Sequence, residues 1–372
     1  MRKLVLIGTA MAVAAGIAAT AARAETPTEL NFGVISTEAS VNQKKNWEPF
    51  LDAMSKATGI KINGFYATNY AGVIEAMRFN KVQIAWFGNK SAMEAVNRSS
   101  GEVFAQVVAA NGNTGYYSHI IVNTDSPYKK LDDILKCDKT LDFSIGDPNS
   151  TSGFLVPTSY IFAARNIDPA SCFKTLRNAS HQANAMAVAN NQVAAATNNS
   201  EDLQRVENSA PEARKKIRII WTSPIIPLDP LVWRKDIDPA VKTKLYTFLM
   251  SYGRVGTPEE IKTAREILAH LIWSPFHPSN DNQLLPIRIL EANKSIMKIK
   301  ADEKLTDAEK QEQIAPLQAE IKKSQELSVK ADASAFPKQL AAFEEADKAD
   351  DQEKLKKMIG EFAAVAAQAP TN

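Results

Sequence analysis

Apolar and polar positions along this chain fall into two blocks that each alternate between the strand and the helix period. In the first block Leu30 to Ile35 reads as a strand, Trp47, Phe50, Leu51 and Met54 recur at helical spacing, and Ile60 to Tyr66 reads as the next strand. Tyr70 to Arg78 then reads as a helix with Val73, Ile74 and Met77 on one face, followed by a strand over Val82–Phe87. This predicts a βαβαβ unit on a parallel sheet. Val103–Ala109 and Tyr116–Val122 flank a Gly- and Asn-rich turn and read as longer strands that cross between two lobes. From Leu131 the alternation restarts. Strands are expected at 141–146, near Phe173–Leu176, at Val193–Thr197 and at Ile217–Trp221, with helices near Leu131–Leu135 and at 151–165, 182–190 and 201–208. After Asp229-Pro230-Leu231-Val232-Trp233 the segments Pro239–Gly253 and Pro258–Trp273 read as helices, the second opened by the capping box Thr257-Pro258-Glu259-Glu260. Past about Asn293 the chain turns rich in Lys, Glu, Gln and Ala, with a further capping box at Thr306–Glu309.

The resulting organisation is a first lobe over 25–120, a second lobe over 121–224, a return to the first lobe over 225–300, and a helical extension over 301–372. A chain that enters the second lobe and comes back makes two connections, and hence a hinge. The extension must bury its apolar stripes, Leu317-Ile321 or Leu355-Ile359-Phe362. A homodimer through these helices is one expectation, docking is another, and simple coverage of a lobe is a third.

Ahead of these blocks, residues 1–24 carry Arg2 and Lys3, an apolar run rich in Ala and Gly, and Ala22-Arg23-Ala24 before Glu25. This is the pattern of a cleaved secretory signal, with a mature start at Glu25. Removing its three basic residues and no acid turns the chain's net charge of +2 into −1, which offers no footprint for nucleic acid or a membrane surface. In an exported chain the even cysteine pair Cys137 and Cys172 is expected to be bridged.

The densest local signal is Asp147-Pro148-Asn149-Ser150-Thr151-Ser152-Gly153, three hydroxyls between a strand and a helix. A helix start offers unpaired N–H groups and a positive dipole end, so amides and hydroxyls there can hold a tetrahedral oxyanion without lysine or arginine. One serine alone would be an ordinary N-cap. Other chemistry is poorly supported. His119, His181, His270 and His277 lack i,i+4 partners, no cysteine pair has zinc-ligand spacing, and neither a P-loop nor a dinucleotide fingerprint occurs, so neither metal nor cofactor is expected. Gly146-Asp147-Pro148-Asn149-Ser150 departs from the nucleophile elbow, which leaves a secreted hydrolase as a distant alternative.

The stretches Asn31–Glu38, Met77–Val82, Ile84–Trp86, Asp147–Pro157, Ala187–Asn190 and Ala196–Asn199 together resemble the periplasmic phosphonate-binding proteins of ABC importers, over about Leu30 to Arg288. The resemblance implies a type II periplasmic binding protein fold, two α/β lobes closing on a small ligand, no turnover, and a membrane permease as partner. It places the phosphonate on Ser150, Thr151 and Ser152, with Tyr70 reaching in from the first lobe, Tyr116 (in preference to Tyr117) from the crossover, and His181 adding a donor. Glu201 and Asp229 would face the other end of the ligand and suit the ammonium of a zwitterion such as 2-aminoethylphosphonate. Read without the resemblance, Tyr70 is a half-buried aromatic, His181 a capping residue, Glu201 a first-turn acid and Asp229 a turn residue. A receptor for phosphate, phosphite or an alkylphosphonate is the nearer alternative. Two acids lacking a cation partner speak against it, being costly to desolvate.

Overall fold

The computed structural model describes residues 28–113 and 115–368; the expected signal and its cleavage site lie outside them. Two sheets carry the fold. The first runs in the order Trp273–Pro278, Gly101–Ala109, Pro230–Arg234, Ile84–Trp86, Glu29–Val34, Lys61–Tyr66, and the second Ile217–Thr222, Ser118–Asn123, Ala195–Asn199, Asp142–Ile145, Thr175–Asn178. Within each sheet three neighbouring strands are parallel, namely 29–34, 61–66 and 84–86 in the first and 142–145, 175–178 and 195–199 in the second. Pro230–Arg234 inserts antiparallel between Ile84–Trp86 and Gly101–Ala109.

The apolar spacing accounts for the packing. Trp47, Phe50, Leu51 and Met54 are the buried face of helix Ser40–Thr58, and Val73, Ile74 and Met77 that of helix Tyr70–Arg78. Both faces join Phe32, Val34 and Trp233 in one first-lobe core. The second sheet is covered on both sides, by Phe143, Phe162 and Phe173 on one and by Ala185, Val188 and Leu203 on the other. Phe143 and Phe173 stack with ring centres 4.4 Å apart. Beside them Cys172 is bridged to Cys137, closing a loop within the second lobe. A loop of that length is worth about 3–4 kcal/mol on the chain-entropy account.

Several expectations need correction. The crossover is not a pair of long strands. Gly101–Ala109 ends in the first sheet, Ser118–Asn123 starts in the second, and between them Gly115–Tyr116 pairs antiparallel with Ile226–Pro227 as a separate two-stranded ribbon. Gly115 permits that pairing, since a Cβ there would lie 2.6 Å from the Ile226 carbonyl oxygen. Trp273, expected to close a helix, instead opens the edge strand Trp273–Pro278, which has a register shift between Ser274 and His277. The expected helix near Leu131–Leu135 is one turn, Leu131–Asp133. The run 151–165 is helical but wide-turned, with the Leu155 N–H donating five residues back to the Ser150 carbonyl and Pro157 supplying no N–H at all.

Both capping boxes form, at Thr257 with Glu260 and at Thr306 with Glu309. Past the last strand the described chain is helical, as Leu285–Ala301, whose Ile287 joins the first-lobe core, followed by Asp307–Asp332, Phe336–Lys348 and Gln352–Ala367. Leu355 and Ile359 are buried in the first-lobe core together with Phe343, with Phe362 packed partly against it. The need of that stripe for a partner is therefore met within the chain. Arg254 anchors the arrangement. Fully buried, it donates to Asp347 (2.7 Å) and to the carbonyls of Phe276 (2.6 Å) and Pro275 (3.0 Å), with its guanidinium 4.9 Å from the centre of the Phe343 ring. Arg254→Ala leaves Asp347 and two carbonyls without a donor and should cost about 3–5 kcal/mol in urea unfolding.

Candidate functional site

Every parallel strand of both sheets points its carboxyl end into the space between the lobes, the position where open α/β sheets bind ligands. In the second lobe three strand-to-helix turns meet there. Strand Asp142–Ile145 leads to the hydroxyl run, strand Thr175–Asn178 to helix His181–Ala189, and strand Ala195–Asn199 to helix Ser200–Ser209. Each helix start is capped, by Ser150 on the Gly153 N–H, Ser180 on the Ala183 N–H and Asn199 on the Asp202 N–H. In the first lobe the matching turns present Tyr70, first residue of its Asn69-capped helix, and Gly88, which precedes helix Asn89–Arg98. Tyr116 and Asp229 come from the two crossing segments.

The eight expected residues thus converge, and all are buried: none of Tyr70, Tyr116, Ser150, Thr151, Ser152, His181, Glu201 and Asp229 is more than 8% exposed. Tyr117, by contrast, is 37% exposed. Ser150 is the cap residue, while Thr151 and Ser152 have other partners. Thr151 Oγ1 accepts the Lys90 N–H across the lobes at 2.8 Å. Asn199 Nδ2 donates to Ser152 Oγ at 3.1 Å. His181 Nε2 lies 3.3 Å from Ser150 Oγ, and its Nδ1 has no protein partner. The Tyr70 hydroxyl lies beside Ser150 and that of Tyr116 beside Ser152 and Asp229. Glycine at 88 keeps the cradle open, since a Cβ would stand 3.2 Å from Thr151 Oγ1 and 3.8 Å from Asp229 Oδ1.

Burial sets the charges. It drives His181 down to about 3, with the Arg205 charge adding to the fall, so the ring is neutral and offers one N–H. It drives Tyr70 and Tyr116 well up, and the phenols remain donors. At the opposite end burial raises Asp229 well above the carboxylate range, with the neighbouring Glu201 charge second, and burial likewise raises Glu201. Glu201 Oε1 and Asp229 Oδ1 have no hydrogen-bond partner. The site therefore combines a set of neutral donors with a pair of buried carboxyl groups, each with one oxygen free of protein donors.

Sequence reasoning missed the groups that join the lobes. The Tyr70 N–H donates to Asp147 Oδ2 at 3.1 Å, the Gln182 N–H to the Thr37 carbonyl at 3.2 Å, and the Ala39 N–H to Gln182 Oε1 at 3.3 Å. It also missed Arg205, whose charge acts on both Glu201 and Asp229, so the pair is not without a nearby cation as expected. Asp147 and Gln182 each adjoin a quoted motif, but no local pattern announces a contact with the other lobe.

A family model described as "ABC transporter, phosphonate, periplasmic substrate-binding protein" matches residues 32–284. The phosphonates-binding periplasmic protein of Escherichia coli K12 is 52% identical over 292 residues, covering 78% of this chain and 84% of that protein. The crystal structure of a binding component of a Pseudomonas aeruginosa ABC phosphonate transporter, 47% identical, superposes with a TM-score of 0.79 over 83% of this chain and all of that one. PhnD1 of Prochlorococcus marinus, solved with methylphosphonate, shares the fold at 20% identity, with a TM-score of 0.62 over 71% of this chain and 97% of that one.

The site also carries a pH signature. Asp202, next to Glu201 and buried, is raised to about 7, mainly by burial and despite the lowering effects of Arg205 and Asn198. A carboxyl raised in the folded state stabilises that state below its unfolded value, and this contribution is lost as the pH rises through about 7. The melting temperature of the unliganded protein should therefore fall between about pH 4 and about pH 7, and Asp202→Asn should flatten part of that fall in calorimetric scans.

Proposed function

Because this chain belongs to the periplasmic substrate-binding proteins of ABC phosphonate transporters, we propose that its cleft holds a phosphonate by the tetrahedral end on Ser150, Thr151, Ser152, His181, Tyr70 and Tyr116. An ammonium group is held at the other end by Glu201 and Asp229, and 2-aminoethylphosphonate is the ligand that carries both. The fold is that of type II periplasmic binding proteins, and the family captures and delivers a substrate without turning it over. The delivery partner is the permease of the transporter, and the mature protein would start at Glu25 after cleavage of the leader.

The observation that supports the ligand reading is the pair of buried carboxyl groups, each with an oxygen that no protein donor reaches. An unpaired buried carboxylate is costly, and a ligand ammonium removes that cost for two of them at once. A plain dianion would add to it. Neutral donors at the other end hold the phosphonate without a fixed positive charge that would retain smaller anions in the open cleft. Closure is a matter of differential affinity, because the ligand meets donors of both lobes only in the closed form.

Calorimetric titration with 2-aminoethylphosphonate, methylphosphonate and phosphate tests this directly. Glu201→Gln should weaken the aminophosphonate by about 10- to 150-fold and methylphosphonate far less, the loss of one charge-assisted bond. Equal losses for the two ligands would sink the ammonium reading. Thr151→Val removes a donor to the phosphonate and the acceptor of the Lys90 N–H. It should weaken every phosphonate alike, by roughly one to two decades, without abolishing binding.

A further inference from the structure

Four acids surround the carboxylate end of the cleft, Glu201 and Asp202 on one helix, Asp229 on the returning segment and Glu38 on the first-lobe turn, and the Arg205 charge acts on all of them. Arg205 stands one turn beyond Glu201 on helix Ser200–Ser209, and i,i+4 spacing puts the two on the same face. It makes no ion pair within 4.0 Å among the described residues. Its guanidinium carbon lies instead 5.9 Å from the centre of the Trp86 ring. Trp86 ends the first-lobe strand Ile84–Trp86, so this contact spans the lobes. Arg205, Trp86, Glu38 and His270 line a crevice of about 250 Å³ between them. Gln182 fastens the same rim, through its bonds to Thr37 and Ala39.

We propose that Arg205 is a positioning residue that latches the second lobe onto Trp86 and, from that stand-off, sets a positive charge beside Glu201 and Asp229 without occupying the oxygens that meet the ligand's ammonium. The distance is the point. A direct salt bridge would occupy one carboxylate and remove it from the ligand, whereas a cation resting on an indole offsets the repulsion between the two acids and leaves their oxygens free. A guanidinium suits this, because it stays charged while stacked on an aromatic face and is weakly hydrated. Opening the lobes takes Trp86 away from it, so the stacking belongs to the closed form. His181, which also faces the Arg205 charge, is neutral and does not compete for it. This inference rests on the reading of Glu201 and Asp229 as the ammonium end.

The test is titration of the full chain and of Arg205→Gln and Arg205→Lys with 2-aminoethylphosphonate and with methylphosphonate, between about pH 5 and about pH 8. Each variant is compared with the parent protein for the same ligand, so the ligand's own titration cancels. Arg205→Gln should weaken both ligands about tenfold through the lost latch. It should also raise, by about one unit, the pH below which aminophosphonate binding declines, because the acids then protonate more readily. Methylphosphonate should show no such upward move. Arg205→Lys keeps the charge without the planar face and should restore the pH profile while leaving the affinity reduced. An Arg205→Gln protein with an unmoved pH profile, or a lysine variant that fails to restore it, overturns the proposal. A parent protein that does not prefer the aminophosphonate would defeat the ammonium reading itself, and the latch would still be read from the affinity for methylphosphonate.

Discussion

Closing this cleft removes polar groups from water faster than the protein can pair them. Three hydroxyls, two phenols, an imidazole and two carboxyl groups are all buried together, and their hydrogen bonds leave His181 Nδ1, Glu201 Oε1 and Asp229 Oδ1 without partners. A buried polar atom without a partner costs about 1–3 kcal/mol, and a charged one more. The rest of the architecture serves this constraint. Strands aim their carboxyl ends at one place, caps hold three helix starts around it, and short interlobe bonds from Asp147, Thr151 and Gln182 make closure worthwhile without making it complete. The ligand is the missing partner, which is why a receptor of this kind closes on its substrate.

Burial has opposite consequences for the two kinds of group. It keeps the histidine and tyrosines neutral donors, with the strongest neighbouring charges acting in the same direction, which is harmless at an anion site. For two adjacent acids it adds to their repulsion, and the result is a strained pair that a cation relieves. On the proposed reading, selectivity between phosphonates would be a property of the carboxylates, and affinity for the phosphonate group a property of the hydroxyls.

Much of this was legible in the sequence because it is local. The period of apolar residues gave the βαβαβ unit and the second-lobe alternation, the capping boxes gave helix starts at Thr257 and Thr306, and the hydroxyl run marked its own turn. The site residues were named through resemblance, and all eight sit at a cap, in the first turn of a helical segment or on a crossing segment that the pattern itself had outlined. What escaped was non-local or masked. Trp273–Pro278 carries two prolines, which an edge strand tolerates and a sequence pattern reads as a break. The wide turns after Ser150 depend on Pro157 and on tertiary packing. Arg205 looks like one more surface cation on a polar helix until Trp86, more than a hundred residues away, is placed beneath it. The extension's stripe of Leu355 and Ile359 announced burial but not the surface that would provide it.

The order in which the two sheets use the chain bears on how the molecule is completed as it crosses a membrane. All five strands of the second sheet come from one uninterrupted stretch, Ser118 to Thr222, which also contains its own cross-link. The first sheet is discontinuous: its third and first strands in spatial order, Pro230–Arg234 and Trp273–Pro278, lie beyond that stretch, and Arg254 has no carboxylate partner until Asp347 arrives. On emergence in chain order the later lobe has all its strands first, while Ile84–Trp86 and Gly101–Ala109 wait for the returning strands Pro230–Arg234 and Trp273–Pro278. The first part of the protein to be exported is thus among the last to be finished.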